Sequence, residues 1–499
     1  MMRALQPKAL AQWGWGLVIF GMPWSHAAMS IGTAWVGVCA VMAWWQERFT
    51  IQRSPSFGTS PWLWLTLLMG WEAGSLAWSE HVEWGFHQLS IQFSLIVLAF
   101  AWLKVPLNRE GQLQTWVFRS AALAMMGVLS WGAWRTLDGV DLQGREWTPW
   151  TSHIRLSMLF ALGMVWGNNQ QRMWRLIYLG LWLVFTSVTG SFTSALLLPL
   201  ALGWWLWHAT HGAVRRRIAT AFLAGVLGLI VGLAQWLQTV PLPSPADELP
   251  THTSWGNPYT HLPESTLSEG GHRVHLFWCE QEWETAWNQV STLSLDQRDD
   301  QGFTNRDRLP RYLTSLGWPK DGKHILQLTE RDVAAIESGA THHISLKGLP
   351  LRLREFKREW EVWQAGGNPT GHALFQRIEH WKAGWHAWLE APWFGHGVGD
   401  TPVAMENAYE RLGSRLAEGH RHRSHMQHLT WGISTGVIGV ILWLGLWLVW
   451  LRSCAPDNKK ALWGGLVLAL SCVFEDTLES QAGVMLSFLA LFAFLGPRR

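Results

Sequence analysis

Apolar residues in this chain fall in long blocks nearly free of charge, and Lys, Arg, Asp and Glu fall between the blocks. A bilayer core of ~30 Å is crossed by ~20 apolar residues in a helix. Twelve segments read as such helices, near 12–27, 29–46, 61–79, 88–104, 113–134, 154–168, 173–189, 191–210, 218–238, 427–451, 462–476 and 481–496. The first two form one apolar run interrupted at Pro23-Trp24-Ser25-His26, which reads as a tight hairpin or as one span plus a re-entrant piece. A single stretch, 239–426, is polar and of domain size. It opens on Pro241-Leu242-Pro243-Ser244-Pro245, an extended linker. Further on, Leu351 to Trp363 and Phe375 to Leu389 have helical amphipathic spacing on either side of a Gly366-Gly367-Asn368-Pro369 turn. The pattern therefore predicts an all-α integral membrane protein of about 12 transmembrane helices. Its parts are an N-terminal membrane domain over 1–238 (about nine helices), a large, mainly helical loop domain over 239–426 and a C-terminal membrane part over 427–499 (about three helices).

Charge sets the orientation. Lys8 and Arg3 precede the first helix. Arg48 and Arg53, Lys104 and Arg109, Arg172 and Arg175, Arg215 to Arg217, Arg452 with Lys459 and Lys460, and Arg498 and Arg499 follow the even-numbered ones. Basic loops stay in the cytoplasm, so both termini are expected there and 239–426 outside. Acidic residues gather on the outer side, at Glu80 and Glu83, Asp138 and Asp141, and Glu475, Asp476 and Glu479. The first helix has no cleavable signal pattern and is expected to act as its own insertion signal.

Composition sharpens this picture. Charged residues make up 15% of the 499, against roughly 25% in a soluble protein, which excludes a soluble multidomain enzyme. A net charge of +3 is too small to suggest a nucleic-acid binder. Trp is abundant, 40 residues against 4 Tyr and 20 Phe, and interface belts account for most of it. Of the four cysteines only Cys279 lies in the external segment, so no disulfide framework forms there.

Three external segments concentrate polar chemistry. Ser152-His153-Ile154-Arg155 opens the sixth helix, where a snorkelling arginine is the plain reading, yet external positive charge is disfavoured. Arg377-Ile378-Glu379-His380-Trp381 is followed by a loop, Pro392-Trp393-Phe394-Gly395-His396-Gly397-Val398-Gly399-Asp400, whose glycines mark a tight backbone turn rather than a nucleotide site. His420-Arg421-His422-Arg423-Ser424-His425-Met426-Gln427-His428 enters the tenth helix. Its histidines have chelating spacing, but Arg421 and Arg423 would repel a cation. Guanidinium planes instead match phosphate oxygens, and a histidine among them suits a proton transfer. A basic collar on lipid headgroups is the competing reading. The turn Glu475 to Gln481 reads either as a solvated loop or as carboxylates that orient a catalytic residue or hold an acceptor sugar. Trp381, Trp385, Trp388 and Trp393 read as packing, with sugar stacking open to one or two of them.

Together these motifs resemble the O-antigen ligase and polymerase superfamily (the Wzy-C type). The residues that carry the resemblance are the 392–400 loop and His425-Met426-Gln427-His428-Leu429 followed by Gly436-Val437-Ile438-Gly439. Gly366-Gly367-Asn368-Pro369 with Gly371-His372, Gln376-Arg377 with Trp381, and Glu475-Asp476-Thr477-Leu478-Glu479 complete the set. The likeness covers most of the chain and is strongest from about 320 to 485. It implies a metal-independent, inverting glycosyltransferase of the bacterial inner membrane, without cofactor, working at the periplasmic face. The donor would be a glycan on undecaprenyl diphosphate. A ligase of lipopolysaccharide biosynthesis passes the glycan to the lipid A core; a polymerase passes it to another lipid-linked repeat of the polysaccharide.

By residue match the resemblance makes Arg377 and His425 catalytic. Arg155, Arg423 and Arg421 would bind the diphosphate, with His153, His372, Asp400, Glu475 and Asp476 in support. Two departures stand out. Ser191-Phe192-Thr193 lacks the family's arginine, leaving Arg155 or Arg423 as the substitute. His425-Met426-Gln427 lacks the family's central Asn. A transporter predicts buried charge within the spans, and only Glu72 and Arg119 are so placed. A non-catalytic glycan-binding protein is the remaining alternative, and detectable transfer by the purified protein would exclude it.

Overall fold

The computed structural model describes residues 6–495 apart from 48–59, 108–110, 141, 143, 168–171, 238–248, 266, 299–302, 365, 372 and 455–457. The Pro241 to Pro245 linker lies outside the described residues, as do Arg3, Arg48, Arg53, Arg109, Asp141, His372, Arg498 and Arg499. The described chain is almost wholly helical. Its one named sheet is a two-stranded antiparallel pair, Ser268–Glu269 with His272–Arg273. Two compact units emerge, one of residues 1–225 with 370–499, the other of 226–369. The boundary thus falls at 369/370, and the 370–426 segment packs in the same unit as the flanking apolar helices.

In the first unit the apolar blocks form α1 (Pro7–Gly21), α2 (His26–Glu47), α3 (Pro61–Gly74), α4 (Val82–Lys104), α5 (Gln112–Leu137), α6 (His153–Trp166), α7 (Arg172–Thr189) and α8 (Phe192–Ala209). The ninth, α9 (Gly212–Leu237), starts there and runs across the boundary. The break predicted between the first two helices is a turn at Met22–Trp24 with backbone bonds from Trp24 and Ser25 to Gly21. Five helices, α2, α4, α8, α9 and the later Gln427–Ser453, are long and apolar enough to cross a membrane; α6, α7 and Gln481–Leu491 are shorter apolar helices.

The tryptophans do more than line an interface. Trp15, Trp166, Trp182, Trp431, Trp443, Trp450 and Trp463 are fully buried in this unit. Several indole N–H groups donate to carbonyls of other segments: Trp15 to Val105 (2.8 Å), Trp166 to Lys460 (2.9 Å), Trp463 to Ala161 (2.9 Å) and Trp450 to Leu491 (2.7 Å). Each satisfies a donor that apolar surroundings would otherwise leave costly.

The second unit carries α10 (Trp283–Val290), α11 (Asn305–Ser315), α12 (Gly322–Ile325), α13 (Glu330–Glu337) and α14 (Gly348–Gln364). Thr304 with Asp307 and Thr329 with Asp332 close capping boxes on α11 and α13. Its core is Trp283, Trp287, Leu309, Tyr312, Leu313 and Ile336. Buried Glu282 accepts from Thr253 Oγ1, Asn257 Nδ2 (2.9 Å) and the Gly322 N–H (2.7 Å).

The chain then returns to the first unit as α15 (Ala373–Glu390), α16 (Thr401–Arg411), α17 (Gln427–Ser453), α18 (Lys459–Phe474) and α19 (Gln481–Leu491). The amphipathic pattern predicted for Leu351 to Trp363 and Phe375 to Leu389 is realised as α14 and α15. α17 is broken at Gly436, with φ +66° and ψ −165°, and the glycine loop fills the break. His396 N–H donates to Ile433 O (2.8 Å), Gly397 N–H to Ser434 O (2.9 Å), and Val437 N–H to Pro392 O (2.8 Å). A Cβ on Gly436 would sit 2.2 Å from Trp393 O, and one on Gly395 would sit 2.5 Å from Ser434 backbone. The loop is therefore a backbone clamp that re-satisfies a broken helix.

Candidate functional site

The clamp fixes what precedes and follows it. Asp400, at the end of the loop, accepts from the backbone N–H of Glu80 (2.8 Å) and His81 (2.9 Å) and contacts His81 Nδ1 at 2.7 Å. Burial alone would raise its pKa, but these donors hold it below the ordinary carboxylate value. Its role here is to tie the loop to the turn before α4.

Below the break in α17, the chain from Arg421 to Gln427 runs against the short turn 475–480 that joins α18 to α19. Asp476, 6% exposed, is the hub. Its Oδ2 accepts the His425 N–H (3.1 Å), and its Oδ1 accepts from Thr430 Oγ1 (2.6 Å) and Ser424 Oγ (3.3 Å). His425 is held at φ +50°, a left-handed conformation that a non-glycine residue adopts only when its surroundings impose it. Gln427 Oε1 accepts the Leu478 N–H at 2.7 Å, a second tie between the α17 start and the turn.

Three guanidinium groups converge on the same turn. Arg377, from α15, donates to Glu475 Oε1 at 2.6 Å. Arg155, from the first turn of α6 and 8% exposed, donates to Ser471 Oγ (3.1 Å), Thr477 Oγ1 (3.4 Å) and Asp476 O (3.5 Å). Arg423 donates to Glu479 Oε2 at 3.2 Å and lies over the Trp84 ring, 5.4 Å from its centroid. Glu479 Oε1 in turn accepts from Gln92 of α4 at 2.9 Å. Burial pushes the Glu479 carboxyl up to about 7, outweighing Arg423 beside it.

Around His425 stand other imidazoles. The His380 ring lies 5.1 Å from it and the His422 ring 6.3 Å. Burial, with His425, His422, Arg377 and His420 nearby, pushes His380 down to about 3. His422 is lowered too, by burial and then by His425 and His420. His420 meets Gln376 Nε2 at 3.1 Å. Among the described residues no three His, Cys, Asp or Glu side chains gather in a metal-holding arrangement.

The structure thus brings together Arg155, Arg377, Arg423, His425, Glu475 and Asp476. Arg421 is turned elsewhere: it pairs with Glu406 and donates to Leu416 O at 3.2 Å. Asp400 serves the clamp, and His153 starts α6 two residues before Arg155. His372 is outside the described residues. Phe192 opens α8 behind its cap Ser191, whose Oγ accepts the Ser194 N–H at 3.3 Å; Met426 is the N-cap residue of α17.

Sequence reading missed His380, Tyr409, Gln92 and the partner role of Glu479. Two signals were available. His380 follows Arg377 by three residues on a helix, one face of it. Gln88 and Gln92 stand four apart in an apolar helix, which marks a polar seam.

A family model described as O-antigen ligase matches residues 342–444, the segment that carries Arg377, the glycine clamp, Arg421, Arg423 and His425. No curated protein matches the chain. With the apolar helices, the family match indicates a multi-pass membrane protein whose 342–444 segment is similar to the O-antigen ligase family.

Proposed function

We propose that the protein is an inner-membrane glycosyltransferase of the O-antigen ligase type, moving a glycan from undecaprenyl diphosphate to the lipid A core at the periplasmic face. In this reading twelve helices cross the membrane, both termini are cytoplasmic and 239–426 is periplasmic. The observation that carries it is the convergence of Arg155, Arg377 and Arg423 on the turn that also holds His425, inside or beside the segment matched by the family.

The chemistry follows from those groups. The acceptor hydroxyl attacks the anomeric carbon; the bond from that carbon to the diphosphate oxygen breaks as the new glycosidic bond forms, with inversion. Both electrons of the broken bond leave with the diphosphate, and the three guanidinium groups stabilise the charge that grows there. His425 takes the hydroxyl proton. The diphosphate exchanges with Glu475 and Glu479 as the partner of Arg377 and Arg423, since carboxylate and phosphate offer the same paired oxygens.

The test is the envelope polysaccharide of a deletion strain complemented with wild type, Arg377→Ala or His425→Ala. Both variants are expected at normal abundance with no glycan on the lipid A core. Wild-type glycan attachment by both would sink the assignment, and single-repeat products in the deletion strain would make the protein a polymerase instead.

A further inference from the structure

His380 and Tyr409 belong to the contact between α15 and α16, which packs Ala383, Ala387, Ala404, Met405 and Ala408. His380 is 2% and Tyr409 1% exposed. His380 Nδ1 lies 2.6 Å from Tyr409 Oη, and Tyr409 Oη lies 2.9 Å from His422 O. A phenol has one hydrogen, and a carbonyl can only accept. Tyr409 therefore donates to His422 O, and the hydrogen in the contact with His380 is on Nδ1. Donor counting therefore places a hydrogen on His380 Nδ1.

We propose that His380 and Tyr409 are positioning residues for His425, holding the His422 end of the 422–425 segment while Asp476 holds the His425 end, and keeping a neutral ring beside the His425 imidazole. This rests on the reading of His425 as the base. The segment is tied at both ends, His422 O by Tyr409 and His425 N–H by Asp476. With the Tyr409 tie removed, the His422 carbonyl loses its anchor and the segment leading into His425 is free to shift. The groups facing His380 are His420, His422, His425 and Arg377, all basic; those facing Tyr409 include Glu379, Glu406 and Asp476. A cationic His380 would oppose proton uptake by His425. Burial and the basic groups around it keep it neutral instead.

The experiment uses the full chain reconstituted in vesicles, with lipid-linked glycan extracted from the deletion strain as donor and lipid A core as acceptor. Tyr409→Phe and His380→Leu are each expected to lower kcat about tenfold, part of the usual worth of a general base, with donor KM within about twofold. The double variant is expected to lose no more than either single one, because the two act as one unit. His380→Asn, whose amide N–H stands near the Nδ1–H position, is expected to recover most of the rate. Full rate in both single variants overturns the proposal. So do losses that multiply in the double variant, that fall on KM, or that His380→Asn does not relieve. Arg377→Ala and His425→Ala run alongside. If they keep wild-type transfer, the functional reading fails and takes this inference with it. If they abolish transfer while Tyr409→Phe does not slow it, only the inference fails.

Discussion

Among the described residues two non-glycine positions have a positive φ, Phe277 at +54° and His425 at +50°. The first is in the 226–369 unit and the second in the other. Phe277 is locked by neutral structure. Its N–H donates to His261 Nδ1 (3.0 Å), its carbonyl accepts the Lys320 N–H (2.8 Å), and its ring is edge-on to His261 (5.2 Å) and Tyr259 (5.9 Å). Lys320 spends its ammonium on the carbonyls of Arg273 (3.2 Å) and Leu276 (2.9 Å). His425 is locked by a carboxylate, and three arginines end on the turn that supplies it. Strain alone therefore does not mark a site. Strain beside converging charge whose partners can be exchanged does.

The sharpest break of that comparison is glycine at both positions. Glycine takes positive φ without the backbone cost, a gain of about 1 kcal/mol. His425→Gly is expected to abolish transfer while its thermal midpoint stays level or rises. Phe277→Gly gives up ring packing of about 2 kcal/mol, so its midpoint falls while kcat stays at the wild-type value. Transfer surviving in His425→Gly, or lost in well-folded Phe277→Gly, reverses the assignment of which strained residue is functional.

Next in size is the hub. Asp476→Ala removes the acceptor of the His425 N–H and of two hydroxyls. Transfer is expected to fall about a hundredfold as His425 leaves its geometry, with a stability loss of about 1–3 kcal/mol from stranded donors. Asp476→Asn keeps one carbonyl oxygen and is expected to lie between. Vesicle transfer rates set against protein abundance decide it; equal kcat for Ala and wild type would remove Asp476 from the site.

Why some of this was legible in the sequence and some was not has a physical basis. Apolar blocks announce helices because the bilayer demands backbone pairing within each segment, and helices stand at all twelve predicted places. Gly395, Gly397 and Gly399 announced a tight turn for the reason the contacts give: a Cβ at any of them would meet another atom within 2.5 Å. Arg377, Arg423 and His425 stood out by type within the segments that the charge pattern reads as external. Glu475 and Asp476 were also read as carboxylates that could orient a catalytic residue, but the pairing of Gln92 with Glu479 was not legible, because the two are 387 residues apart in the chain and pairing over that separation is set by helix packing. His380 carried one sign, its place three residues after Arg377 on a helix, but nothing in the sequence separates burial against a tyrosine from exposure. Trp was misleading in emphasis, since Trp15, Trp450 and Trp463 are fully buried and bond to carbonyls of other segments.

A smaller effect separates the arginines. Arg377→Lys keeps the charge but loses the planar fork, so donor KM is expected to rise about tenfold with a lesser change in kcat. Arg358→Lys, in the 226–369 unit, keeps its bridge to buried Glu269, which Arg311 also holds at 3.1 Å, and transfer is expected unchanged. Steady-state kinetics on the two variants test whether the Arg–Glu pairs of the two units differ in function as they differ in setting; equal KM values for Arg377→Lys and wild type would place Arg377 among the structural pairs.

The smallest effect is a pH dependence. Glu479 titrates at about 7 in the folded protein against 4.5 for the free side chain, so the folded state holds this proton more tightly than the unfolded one. Its contribution to stability is complete below pH 4.5 and is lost as pH rises through 7. Glu479→Gln is expected to flatten the fall in thermal midpoint between those values; a slope equal to that of wild type would mean that the carboxyl is not shifted. The same titration bears on the arginines, because a protonated Glu479 leaves the Arg423 charge unneutralised and open to an anion. Near neutral pH both forms of Glu479 are populated. The arginine that stacks on Trp84 can therefore exchange its carboxylate partner, which is what binding an anion at this turn requires.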